Sequence, residues 1–191
     1  MLFVKRAILA AFMIFACAGG KSAVANDQAW AALEEGGIVL FRHALAPGTG
    51  DPSNFEIGNC STQRNLNDRG RAESRAIGAE FRERGVEVGQ VLTSQWCRCR
   101  ETAELAFPDQ VEDAPAFNSF FQNRRAGPQQ TREAKEILAN WNGPGGLVVV
   151  THQVNITALT DIFPRSGEGI VVRVVNGAVE VVGRLPVPRV E

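Results

Sequence analysis

The 191 residues include only two histidines, His43 and His152, and their settings are alike. Each follows a Gly-Gly pair and an apolar run: Gly36-Gly37-Ile38-Val39-Leu40-Phe41-Arg42-His43 and Gly145-Gly146-Leu147-Val148-Val149-Val150-Thr151-His152. Side chains just past the carboxyl ends of strands line the ligand crevice of an open α/β sheet, so both imidazoles are expected in one cleft, with Arg42 beside them. A third apolar run, Val91-Leu92-Thr93-Ser94, leads into Gln95-Trp96-Cys97-Arg98. Arg98 and Thr102, four residues apart, share a helical face, whereas Arg100 points elsewhere and reads as a solvated or salt-bridged surface residue. Imidazoles and guanidiniums around a crevice suit a tetrahedral oxyanion, and the implied ligand is a phosphoryl group. Attack on phosphorus needs an unprotonated ring nitrogen, held in the right tautomer by a hydrogen bond from the other nitrogen, commonly to a backbone carbonyl.

The elements that must position these groups alternate. Gly37 to Phe41 and Leu147 to Val150 are short, nearly continuous apolar runs, the pattern of strands buried on both faces of a parallel sheet. Val88 to Ser94 reads as another strand, and a weak one lies near Val111. Asn67 or Asp68 caps a helix that runs to about Arg84, with Ala72, Ala76, Ile77, Ala79 and Phe81 as its apolar stripe and Gly85 as its stop. Further helices are predicted over Cys97 to Phe107, Gln129 to Trp141 and about Asn155 to Phe163. Ile170 to Val175 and Ala178 to Arg184 flank Asn176-Gly177, the strongest short hairpin signal. This order implies a three-layer α/β sandwich: a mainly parallel central sheet flanked by helices, with a C-terminal antiparallel hairpin at its edge.

Arg42-His43-Ala44 is similar to the Arg-His-Gly motif of the histidine phosphatase superfamily, in its phosphoglycerate mutase-like branch. Ser94-x-x-x-Arg98-x-x-x-Thr102-Ala103 resembles the family's Ser-Pro-Leu-x-Arg-Ala-x-x-Thr-Ala segment, and Val150-Thr151-His152 resembles its second histidine. The resemblance implies that His43 is the nucleophile, that Arg42, Arg98 and His152 hold the phosphoryl oxygens, and that water then cleaves a phosphohistidine without metal or other cofactor. Arg64, Ser94 and Gln153 are further candidates for substrate contact; Arg64 reads equally as an ion-pair partner. The chain departs from the family at Ala44 and at the general acid. Mutase-like members carry a glutamate shortly after the Thr-Ala segment, where this chain offers Glu112 and Asp113, which read either as the possible acid or as a solvated strand end. Phytase-like members place an aspartate where this chain has Gln153. A missing acid restricts the activity to good leaving groups such as aryl phosphates, acyl phosphates or phosphohistidine. The alternative is a catalytically weak phosphate- or phosphosugar-binding protein on the same fold.

Composition bounds the setting. The chain is 45% apolar and 21% charged with net charge -1, ordinary globular values with no basic excess for nucleic acid. Lys5 and Arg6 precede an uncharged, mostly apolar stretch from Ala7 to Gly20, and Ala23-Val24-Ala25 has small residues at signal-peptidase spacing. Residues 1–25 therefore read as a signal peptide and 26–191 as the mature domain, periplasmic or secreted. The apolar stretch is too short for a stable membrane span. A lipoprotein through Cys17 is the second reading, since Phe15 is bulky for a lipidation signal. Removing Lys5, Arg6 and Lys21 leaves 17 basic against 21 acidic residues. Cys60, Cys97 and Cys99 remain, so one intrachain disulfide joins Cys60 to either Cys97 or Cys99. The partner called for is a small phosphorylated substrate.

Overall fold

The computed structural model describes the backbone of residues 20–190 and the side chains of residues 26–190. Of the leader reading over residues 1–25, residues 1–19, Cys17 included, lie outside the described residues, and the last six begin helix α1, which continues past the proposed cleavage point after Ala25. From Gly20 the chain alternates α1 (Gly20–Glu34), β1 (Ile38–Arg42), α2 (Asp68–Arg84), β2 (Val88–Thr93), α3 (Cys97–Ala106), β3 (Val111–Asp113), α4 (Gly127–Ala139), β4 (Gly146–Thr151), α5 (Gln153–Thr160), β5 (Gly169–Val175) and β6 (Ala178–Leu185).

The six strands form one sheet in the order β3-β2-β4-β1-β5-β6. The first four in that order are parallel; β5 runs antiparallel to β1, and β6 antiparallel to β5 at the edge. The period of two in a strand divides the apolar runs between two cores. Val39, Phe41, Val148 and Val150 pack with Trp30, Leu33, Ile77, Phe81 and Phe107 of the α1, α2 and α3 side. Ile38, Leu40, Leu147 and Val149 face Ala134, Leu138, Ile156 and Leu159 of α4 and α5. Both faces of the central strands are thus covered, as unbroken apolar runs require. The hairpin forms at Asn176-Gly177, both residues having the positive φ of a type I′ turn.

The helix signals resolve with some differences. Asn67 accepts from the Gly70 N–H at 2.8 Å and Gly85 ends α2 in the left-handed conformation. The buried face of α2, however, consists of Gly70, Glu73, Ser74, Ile77, Gly78 and Phe81 rather than the alanine stripe. Two glycines carry it because neighbouring backbone comes too close for a side chain. A Cβ at Gly78 would stand 2.0 Å from the Ala106 carbonyl oxygen, and one at Gly70 would stand 2.2 Å from that of Leu45. The helix α1 has no counterpart in the sequence reading; Ala29, Trp30 and Leu33 anchor it by burial.

The close approach of α2 to the end of α3 generates a stability prediction. Alanine is the better helix former, yet Gly78→Ala is expected to destabilise the protein by about 2 kcal/mol, because two backbones must separate. Urea unfolding measures it; a variant as stable as the parent would show that the approach is not rigid.

Candidate active site

Three neighbouring strand ends converge. In the parallel register Arg42 pairs with Thr151 and Thr93 with Val150. Beyond the strands the pairing continues for one more bond on each side: His43 N–H donates to the Thr151 carbonyl and Ser94 N–H to the Val150 carbonyl, each at 2.9 Å. The His43 and His152 rings therefore meet edge to face with centroids 5.6 Å apart. Both line one cavity with Arg42, Arg64, Arg98, Trp96 and Asp51, roofed by the loop from Gly48 to Asp51 and walled by Ser119, Phe121 and Gln122.

Each imidazole has a defined partner set. His43 Nδ1 donates to the Ala44 carbonyl at 2.8 Å, which leaves Nε2 as the unprotonated nitrogen of a neutral ring. The Ala44 N–H in turn donates to Thr102 Oγ1 at 3.1 Å, and that hydroxyl donates to the Arg98 carbonyl at 2.7 Å. Arg98 Nη2 approaches His152 Nδ1 at 3.5 Å. A guanidinium only donates, so Nδ1 accepts and Nε2 carries the proton, donating to Ser94 Oγ at 2.8 Å. The Ser94 hydroxyl passes the chain to Asn118 Oδ1 at 3.2 Å. Burial is the main cause that pushes both imidazoles well below the usual histidine range, with the Arg98 charge next and each further reinforced by other nearby charges.

The guanidiniums are held from several directions. Arg42 Nη1 donates to the Pro164 carbonyl at 3.1 Å, and its Nε is buried without a partner. Arg64 Nε donates to the Gly50 carbonyl at 2.9 Å and Nη1 to that of Ala46. Burial and the Arg98 charge lower Arg64 to about 10, still protonated at neutral pH. Arg98 is gripped by a carboxylate that the sequence reading did not single out. Its Nη1 and Nη2 donate to Asp51 Oδ1 and Oδ2 at 2.6 and 3.1 Å, with the two side chains only 3% and 5% exposed. Burial alone would raise the Asp51 carboxyl; the hydrogen bonds and charge of Arg98 outweigh it and hold the group below its ordinary range.

Of the residues expected at the site, His43, His152, Arg42, Arg98, Arg64 and Gln153 line the cavity. Ser94 does not: it is fully buried beneath the rings, where its hydroxyl fixes His152, so its place is behind the site and not in substrate contact. Glu112 and Asp113 lie on the edge strand β3, outside the cavity. Glu112 accepts from Gln90 at 2.9 Å and Asp113 accepts from Arg100, which fulfils the surface reading of that arginine. The proposed acid role for either is thereby corrected, since a three-residue strand paired to β2 carries them away from the rings. Asn155, on the same helix as Gln153, donates to the Asn118 carbonyl at 2.9 Å. The disulfide joins Cys60 to Cys97, and Cys99 is a buried thiol. Burial raises that thiol to about 12. Among the described residues, no three His, Cys, Asp or Glu side chains gather as a metal site. The signal that could have exposed Asp51 is weak: one acid within a Gly-rich loop directly after the first histidine.

The geometry agrees with comparison to known proteins. The family model for the histidine phosphatase superfamily (branch 1) matches residues 38–137. No curated protein matches the chain. Among solved structures, the chain is similar to the protein histidine phosphatase SixA complexed with tungstate, at 16% identity and TM-score 0.55, over 78% of this chain and 95% of that one. It is likewise similar to YhfR of Bacillus stearothermophilus, at 16% identity and TM-score 0.52, over 75% and 94%. A phosphoserine phosphatase from Entamoeba histolytica in complex with 3-phosphoglyceric acid aligns at 12% identity and TM-score 0.53, over 77% and 95%.

Neutral, buried imidazoles imply a defined pH response. The unfolded chain takes up protons on both histidines as pH falls below about 6.5, while the folded protein resists until well below that value. The contribution of the two rings to stability is therefore present above about pH 6.5 and is lost as the pH drops. Between pH 6 and 5 the wild type should lose roughly 2 kcal/mol more than a His43→Gln/His152→Gln variant, read by urea unfolding at each pH; parallel profiles would contradict the neutral assignment. On the matched model and the convergence of its motifs, this chain belongs to the histidine phosphatase superfamily, branch 1.

Proposed function

We propose that this protein is an exported phosphatase that works through a phosphohistidine on His43. The observation that carries the reading is the bond from His43 Nδ1 to the Ala44 carbonyl, which leaves Nε2 free as a nucleophile in a cavity lined by three guanidiniums. Nε2 attacks phosphorus, the bond from phosphorus to the leaving group breaks, and the leaving group departs with the electron pair. Arg42, Arg64 and Arg98 stabilise the charge on the equatorial oxygens without deprotonating. Burial and the positive field together keep His152 neutral; the incoming anion offsets the field, so Nδ1 can take up a proton from solvent and donate to the phosphoryl group. Water then attacks phosphorus, the P–N bond breaks with its electron pair returning to Nε2, and both water hydrogens leave on the product as dihydrogen phosphate.

Charge supports a dianionic substrate. Three guanidiniums against the Asp51 carboxylate, with both rings neutral, give the cavity a formal charge of about +2, the complement of a phosphoryl dianion. The acid question narrows the substrate class. Asp51 is the one carboxylate among the cavity-lining residues, and it is ionised and engaged by Arg98, so it has no proton to give. Substrates with leaving groups that depart unprotonated fit best: aryl phosphates, acyl phosphates or phosphohistidine. Phe121 and Trp96 supply apolar surface for such a substituent. The cysteine pattern favours export, because a bridge between Cys60 and Cys97 persists in an oxidising compartment. Among the described residues no helix is long and apolar enough to cross a membrane, and Ala29 and Trp30, both after the proposed cleavage point, are buried against the sheet.

Two experiments test the reading. Mixing the purified protein with a labelled aryl phosphate is expected to leave acid-labile label on the wild type and none on His43→Ala; tight phosphate binding without labelling or turnover would favour the binding-protein alternative. Turnover of an aryl phosphate should exceed that of an alkyl phosphate by at least about a hundred-fold, the size of a missing acid's contribution. Equal rates would mean that a proton donor acts after all.

A further inference from the structure

Asp51 stands where a substrate oxyanion would. Its carboxylate takes the two Nη atoms of Arg98 as a fork, the geometry a guanidinium uses for two phosphoryl oxygens. The other Nη contacts of Arg98 are also internal: Nη1 donates to the Arg64 carbonyl at 3.3 Å and Nη2 approaches His152 Nδ1. All four Nη hydrogens thus have protein acceptors, while Nε is buried without one. So occupied, Arg98 offers an incoming phosphoryl group no bidentate face. Asp51 has donors besides Arg98, namely Trp96 Nε1 at 3.0 Å on Oδ2 and the Arg64 backbone N–H at 3.2 Å on Oδ1.

We propose that Asp51 is a built-in competitor for the phosphoryl site: its carboxylate occupies the Arg98 fork in the empty protein, and a phosphoryl dianion takes that fork over. The inference rests on the phosphatase reading above. The exchange is a rotation of one side chain, because the surrounding main chain is pinned. Gln122 Nε2 donates to the Asp51 carbonyl at 3.2 Å, Arg64 Nε holds the Gly50 carbonyl, and the Cys60–Cys97 bridge ties the same loop to the residue beside Arg98. Net affinity is then the difference between two anions on one guanidinium. A doubly charged phosphoryl group displaces the single charge of Asp51, whereas a monoanion gains little. Inorganic phosphate, the product, is released more readily than from an uncontested arginine.

The test uses tungstate and inorganic phosphate as probes of the full protein. A crystal structure of the wild type with tungstate is expected to show tungstate oxygens on Nη1 and Nη2 of Arg98 and the Asp51 carboxylate turned off the fork. Tungstate bound in the cavity with Asp51 still on both Nη atoms would overturn the proposal alone. In calorimetry Asp51→Asn is expected to bind phosphate about ten-fold tighter than the wild type, because the internal rival has lost its charge; equal or weaker binding would also overturn it. Should Asp51→Asn not fold, the wild-type complex decides by itself. A wild type that binds neither anion removes the phosphatase reading and this inference with it.

Discussion

Two backbone hydrogen bonds, from His43 to the Thr151 carbonyl and from Ser94 to the Val150 carbonyl, extend the parallel register of β1, β4 and β2 past the strand ends. Everything at the site hangs from that register. Because β4 lies between β1 and β2, the residues that follow three separate apolar runs are delivered to one edge of the sheet, at the spacing of adjacent strands. A slip of one residue would turn the side chains of a strand to opposite faces, exchanging Val39 and Phe41 with Ile38 and Leu40 between two cores that are each packed around the other set. The two cores therefore enforce the geometry of the imidazoles as surely as any contact within the cavity.

Around this frame the electrostatics are arranged against local comfort. Three guanidiniums share one small cavity, and two of them carry a buried Nε without a partner. Such a concentration of positive charge is costly unless an anion compensates it. Asp51 supplies part of that compensation from the loop, and the remainder is left for a ligand. The same field, added to burial, keeps both rings neutral, so nucleophilicity at His43 and anion affinity have one origin. Behind the rings, Ser94, Thr102 and Asn118 satisfy the polar groups that face the interior, which lets the imidazoles be buried and still oriented.

The loop after His43 joins the roof to the floor. Cys60 is bridged to Cys97, and Gln63 accepts from the Cys97 N–H, so the loop is tied to the first turn of α3 at two points. Trp96 closes the arrangement by stacking on Phe55 and donating to Asp51. Few of these contacts involve regular secondary structure; they depend on side chains reaching across from one loop to a helix start.

That division matches what could be read before any coordinates. Periodicity, capping and turn signals are local, so the apolar runs at 38–41 and 147–150, the Asn67 cap, the Gly85 stop and the Asn176-Gly177 hairpin were all legible in the residues themselves. From them followed the strand ends, and with those the cluster of His43, His152, Arg42 and Arg98. The helix α1 was not legible in the same way, because its first six residues lie within the leader-like stretch and only its later part carries the buried Ala29, Trp30 and Leu33. Asp51 on Arg98, Ser94 on His152 and Cys60 on Cys97 join residues 47, 58 and 37 positions apart. Only the folded chain could choose those partners, since a loop's path is set by the surfaces it crosses and leaves no periodic trace in its own residues.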